Sequence, residues 1–331
     1  MKIDVFNHIM AAEALDKMAA FVPPHFVRVL SGIPTMLDVD ARLRHIEPFD
    51  DYCQVLSASN PVIDDWVGPE DTPALARAIN DGMAGICAAH PDRFPAWIAT
   101  LPMNNPDEAL KEIDRAVRDG GACGIQIYSN VRGKPLDLPE FQPVFARMAE
   151  LEKPIWLHPI RPMTHPDYAT EETSQFDIWW ALGWAYETSA AMARIVFSGV
   201  FERHPDLKIV AHHWGAYIPH ADGRMEPSWS DGVMIAGAER PLWKGERSLR
   251  DSFKLFYGDT AMFGGQAASQ CGLAFFGAEH SVFATDYPFD KEAGMLNLKG
   301  TIDVIESLEC SDEDRRQIYE LGPRMLLGDG G

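Results

Sequence analysis

A (β/α)8 barrel, eight parallel strands wrapped by helices in a single domain with loop insertions, is predicted by three observations. Short apolar runs alternate with helix-period segments along the whole chain. Four of those runs end abruptly in a histidine or an aspartate, at His8, His158, His213 and Asp286. The 331 residues suit one barrel of about 250 residues plus insertions, and no linker divides them, so the domain is expected to run over 1–331.

Ile3 to Phe6 reads as strand one, and the Pro-rich excursion around Val22-Pro-Pro24 as loop. Asp38 to Glu47 reads as a short helix before strand two, Cys53 to Ser57. Glu70 to Ala89 places Leu75, Ile79, Met83 and Ile86 at helical spacing, and Ala96 to Leu101 follows as strand three. Pro106 to Arg118 is a helix with its proline near the start, stopped by Gly120-Gly121. Gly124 to Tyr128 is strand four, Leu138 to Leu151 helix and Pro154 to Leu157 strand five. A long helix from Trp179 to Phe201 leads into strand six, Lys208 to Ala211. Lys254 to Gly258 and Ser281 to Thr285 are strands seven and eight, and Ser311 caps a closing helix through Glu320. Parallel neighbours need crossovers, and right-handed crossovers close eight such units into a barrel.

The net charge of -20 argues against a nucleic-acid partner and says little about a small anionic substrate, which local arginines would handle. The five cysteines are scattered and fall in no CxxC pair, as in a reduced cytoplasmic protein. Met1-Lys-Ile-Asp-Val-Phe-Asn7 runs straight into structure, so no signal peptide is expected, and no window is apolar enough for a membrane span.

In a barrel, the ends of strands one, five, six and eight share one bowl at the carboxyl face, where such folds keep their chemistry. A lone terminal histidine would more often satisfy a neighbouring backbone group. Imidazoles from His8, His158 and His213 with the Asp286 carboxylate instead suit one divalent ion, zinc first and manganese second, with a position open to water or substrate. Asp259, in the turn after strand seven, is placed to orient a ligand histidine. Among the aromatics, Trp214 beside His213 is the better candidate for the pocket, Trp179 and Trp180 follow, and Trp184 is expected to be buried against the barrel or a second subunit.

The strand-one histidine, Leu157-His158-Pro159, His213-Trp-Gly215 and Ala284-Thr-Asp286-Tyr-Pro288 resemble the amidohydrolase superfamily. Within it they are similar to the branch of aminocarboxymuconate semialdehyde decarboxylase and γ-resorcylate decarboxylase. The resemblance implies metal ligands at His8, His158 and Asp286, with Phe6 where the branch carries another ligand and Asn7 or His212 as substitutes. It implies His213 as the acid or base, with Asp286 as an alternative proton donor, while strand alternation turns His212 to the opposite side unless the strand has ended and the turn re-aims it. Arg224 and Arg44 match arginines that bind a substrate carboxylate, one of them across a homodimer interface. Gln126, where other amidohydrolases carry a metal-bridging lysine, implies a single metal. The activity implied is non-oxidative decarboxylation of an aromatic or unsaturated carboxylic acid. Hydrolysis of a lactone or amide, or hydration, is the alternative on the same scaffold, and a metal-free binding protein the alternative from another class.

Overall fold

The structure, a computed structural model, describes residues 1–58, 62–225 and 247–328. Eight strands form one parallel sheet: β1 Lys2–Ile9, β2 Tyr52–Ala58, β3 Ala96–Thr100, β4 Gly124–Tyr128, β5 Ile155–His158, β6 Ile209–Ala211, β7 Tyr257–Asp259 and β8 Ser281–Val282. Neighbours in the sheet are neighbours in the chain, and each pair encloses at least one helix. The helix after each strand that packs on the barrel is α1 Val39–Ile46, α2 Thr72–Ala89, α3 Pro106–Ile113, α4 Gln142–Glu150, α5 Gly183–Phe197, α6 Leu249–Phe253, α7 Gln266–Phe276 and α8 Met295–Ser307. A two-stranded hairpin, Asn130–Val131 with Lys134–Pro135, lies outside the barrel.

The sheet closes on itself through the segment that follows β8. Val5 N–H donates to the Phe283 carbonyl at 2.9 Å, Asp286 N–H to Phe6 at 3.2 Å, and His8 N–H to Tyr287 at 2.6 Å. Val5, Phe6, Val55, Ile98, Trp156, Val210 and Ala284 belong to an inner cluster, while the larger apolar cluster lies between strands and helices. Parallel register sets the carboxyl ends side by side: Tyr128 pairs with His158, Leu157 with Ala211 and Ala211 with Gly258.

The strands lie where the apolar runs predict, within a few residues, and the departures have local causes. The Val22-Pro-Pro24 excursion contains a helix, Pro24–Ser31, because proline is at home at the first helical position. The predicted helix from Trp179 to Phe201 is three pieces, Ile178–Ala181, Gly183–Phe197 and Val200–Arg203, the last break made at Gly199 with φ 75°. Lys254 caps α6, so β7 begins only at Tyr257. The closing helix, Asp312–Arg316, has Ser311 as its cap, with Asp314 completing a capping box. Among the described residues, no helix is long and apolar enough to cross a membrane.

Candidate active site

The ligand atoms of His8, His158, His212 and Asp286 all lie within 4.8 Å of one another, and all four side chains are buried. His8 stands near the end of β1, His158 ends β5, His212 follows the last residue of β6, and Asp286 lies beyond β8. Three of these are the ligand positions expected from the sequence. The fourth, His212, is one of the two substitutes named for the ligand missing at Phe6, although an unbroken strand would have turned it behind the barrel. Alternation applies only while a strand lasts, and β6 stops at Ala211, so the next residue is free to turn inward.

Each imidazole has its Nδ1 committed elsewhere. His8 Nδ1 lies 3.1 Å from the Ala58 carbonyl and His158 Nδ1 2.6 Å from that of Pro159. His212 Nδ1 lies 2.5 Å from Asp259 Oδ2. Carbonyl and carboxylate oxygens only accept, so Nδ1 carries a proton in all three and Nε2 is left for the nest. The Nε2 atoms of His8 and His212 are buried without a hydrogen-bond partner of good geometry, 2.9 and 3.6 Å from Asp286 Oδ1. Atoms bound to one ion at about 2.0–2.2 Å sit roughly 3–3.5 Å apart, so the spacing of His8 and Asp286, with His158 beside them, fits a divalent cation.

Electrostatics divide the roles. Burial would lower the His212 pKa, but the Asp259 carboxylate, then Asp286, raise it to about 9. Burial would raise Asp286, but the facing imidazoles of His212 and His8 hold it well below the usual carboxylate range. His158 is pushed well below its ordinary value by burial and by its neighbours His212 and His8. With no metal bound, the nest therefore favours an ionised carboxylate at Asp286 and a protonated imidazole at His212.

His213, expected from the sequence to be the acid or base, stacks on His212 with ring centroids 3.7 Å apart. Its Nδ1 lies 2.7 Å from the Ala261 carbonyl, and its N–H donates to Asp259 Oδ1 at 2.9 Å. Burial and the adjacent His212 lower its pKa to about 4. From His213 the chain runs left-handed, and Trp214, at φ 51°, turns into the core instead of the pocket. Trp214 is 1% exposed, and a Cβ on Gly272 of α7 would stand 2.5 Å from its indole.

Arg44 and Arg224 are both exposed, Arg44 on the outer face of α1. The arginine that reaches the ligand strands is Arg42, fully buried, with Nη1 donating to the His8 carbonyl at 2.6 Å. A signal for it exists in the sequence: Arg42 and Ile46 are four apart and share the inner helix face. Trp184 is the other residue missed, its ring edge-on to His158 at 5.4 Å, with Trp179 and Trp180 packed against it. Tyr128 meets His158 at 5.3 Å and Phe289 meets His8 at 5.6 Å. Phe6 fills the remaining side, 4.5, 5.3 and 5.7 Å from the rings of His212, His8 and His158.

An amidohydrolase family model matches residues 12–328. γ-Resorcylate decarboxylase of Rhodococcus jostii (strain RHA1) is 30% identical over 96% of this chain and 95% of its own length. The 2-amino-3-carboxymuconate-6-semialdehyde decarboxylase of Dictyostelium discoideum is 29% identical over 76% of this chain and 67% of its own length. A 2,6-dihydroxybenzoate decarboxylase, solved in complex with 2,6-dihydroxybenzoate, superposes over 98% of both chains with a TM-score of 0.81 and 26% identity. An eight-stranded barrel with a buried histidine and aspartate nest, a family match over nearly its whole length and decarboxylases among its relatives place this chain in the amidohydrolase family.

Proposed function

We propose that this chain is a metal-dependent, non-oxidative decarboxylase of an aromatic or unsaturated carboxylic acid. The observation that carries the proposal is the nest itself, in which buried imidazole nitrogens and a carboxylate converge beside His212, which is braced by Asp259. His8, His158 and Asp286 would hold one divalent ion, with zinc ahead of manganese because the donor set is rich in imidazole. When bound, the ion supplies a Lewis acid that draws negative charge onto the substrate's oxygens.

The chain's own groups do the rest. His212, kept in place by Asp259, holds a proton at Nε2 and delivers it to the carbon that keeps the electron pair as carbon dioxide leaves. The facing imidazoles of His212 and His8 hold Asp286 low despite its burial, which suits a ligand better than a donor, and His213, with its lowered pKa, supports the His212 ring from behind. The rings of Trp184 and Tyr128 wall a space suited to a flat, conjugated acid.

A homodimer belongs to the same proposal. Tyr168 and Phe176, in the segment before α5, are 71% and 93% exposed, and Leu182 and Tyr186 are exposed near its start. Large apolar groups gathered in one region favour association with another surface. Exposed Arg224 would then serve the partner's site. Mixing an Arg224 variant with a His212 variant should restore activity in heterodimers, and no recovery despite confirmed subunit exchange would refute that assignment. A cytoplasmic location is supported by the five unpaired cysteines.

The reaction is tested with 2,6-dihydroxybenzoate and related acids in heavy water. A decarboxylase releases carbon dioxide and leaves one deuterium on the product carbon. No release from any such acid, with lactones or amides opened instead and ¹⁸O from labelled water entering the product, would establish the hydrolase in its place.

A further inference from the structure

His8 and Asp286 come from opposite ends of the chain and meet where the barrel closes. Two buried charged residues reinforce that seam, and neither takes part in the chemistry proposed above. On one side of Asp286, Thr285 donates its N–H to Asp4 Oδ1 at 3.2 Å and its hydroxyl to Asp4 Oδ2 at 2.5 Å. On the other side, the Tyr287 ring lies beneath the Arg42 guanidinium, 4.6 Å from ring centroid to Cζ. Arg42 also donates to the His8 carbonyl and to Asn7 Oδ1, each at 2.6 Å, and to the Thr35 carbonyl at 3.2 Å.

The two halves are one network. Arg42 Nε donates to Gln54 Oε1 at 2.7 Å, Gln54 Nε2 to the Tyr52 hydroxyl at 2.8 Å, and that hydroxyl to Asp4 Oδ2 at 2.6 Å. Asp4, Arg42 and Gln54 are wholly buried. Among the described residues, no acid forms a direct ion pair with Arg42, so its burial is costly, and apolar side chains would seal the seam for less. What directed bonds add is position. They hold the residues flanking Asp286, and the carbonyl of His8, at fixed distances from one another.

We propose that Asp4 and Arg42 are positioning residues for the metal nest, setting the separation of the first and last ligands, His8 and Asp286. The proposal rests on the metal-site reading of the nest. Its test uses the full chain, stripped with a chelator and reloaded with zinc(II) or cobalt(II) alone. Metal affinity is read by competition with a chromophoric chelator, coordination by the visible cobalt(II) spectrum, and folding by thermal unfolding of the metal-free protein. The variants are Asp4→Asn, Thr285→Val and Arg42→Lys. The control is Arg93→Lys, because Arg93 grips the far end of α1 through the carbonyls of Ile46 and Phe49, at 2.6 and 3.1 Å.

The first three variants should lose affinity by about 10- to 100-fold and shift the cobalt spectrum. Arg93→Lys should lower the unfolding temperature and change neither. If Arg42→Lys does not fold, Asp4→Asn and Thr285→Val decide the matter. Affinity within twofold of wild type with an unchanged spectrum, or equal weakening by Arg93→Lys, would overturn the positioning role. Wild-type protein that takes up neither ion would overturn the metal reading, and this inference with it.

Discussion

Replacing Asp259 with asparagine isolates the device that keeps His212 protonated. The amide is nearly isosteric but has one oxygen. If that oxygen stays on the N–H groups of His213 and Ala261, which Asp259 Oδ1 accepts at 2.9 and 3.2 Å, the amide NH2 turns toward His212 Nδ1. Nδ1 must then accept, and His212 becomes a neutral imidazole of the other tautomer. In the native chain His212 titrates at about 9, above the ordinary 6.5. Its stabilisation is therefore fully present below pH 6.5 and is lost as pH rises through 9, because the folded chain binds the extra proton. The full effect is about 3 kcal/mol, of which about 2 kcal/mol falls between pH 7.5 and 9.5. Urea unfolding of the metal-free protein across that window, compared with Asp259→Asn, measures it, since the other titrating groups are common to both. Asp259→Asn should lose that share of the slope, and its decarboxylation rate should drop by about 10²–10⁴. A variant that keeps the native pH slope, or whose rate stays within tenfold of wild type, refutes the role given to the Asp259 and His212 pair.

Three further outcomes follow from the same geometry. His158→Ala should release the metal, whereas Phe6→Leu should retain it, because Phe6 packs against three imidazoles without offering a donor atom; elemental analysis of purified protein separates the two. Trp184→Ala should raise KM for a planar aromatic acid by about 2- to 10-fold, the worth of one ring contact, and steady-state kinetics that leave KM unchanged would remove Trp184 from the pocket. Asp64 is buried and raised to about 7, by desolvation first, so its ionisation costs stability as pH rises from 3.8 through 7. Asp64→Asn should therefore gain roughly 4 kcal/mol at pH 8.5 and nothing near pH 3, measured by denaturant midpoints at the two values.

The alternation of apolar runs with helical periods determined the barrel, and strand ends at His8, His158 and Asp286 mark three members of the nest by local sequence alone. These features are legible because burial imposes a period on the chain, and because a polar residue closing an apolar run has to serve something at the strand's end. The strand that the sequence predicts over Gly124–Tyr128 has the same bounds in the structure, opened by a glycine and buried at all five residues.

What only the tertiary structure decided lies where periodicity stops. Which of His212 and His213 joins the cluster of His8, His158 and Asp286 turns on a strand that ends at Ala211 and on a left-handed turn that follows, a matter of one or two backbone angles. The same turn sends Trp214 into the core and leaves Trp184, from another element, beside His158. Arg42 and Arg44 differ only in the helix face they occupy, and which face is buried depends on the strands beneath it. The seam between Asp4, Arg42 and the residues around Asp286 joins positions more than 240 apart in the chain, as in the 281-residue separation of Asp4 and Thr285. No local pattern encodes such a pairing, because it exists only once the barrel has closed.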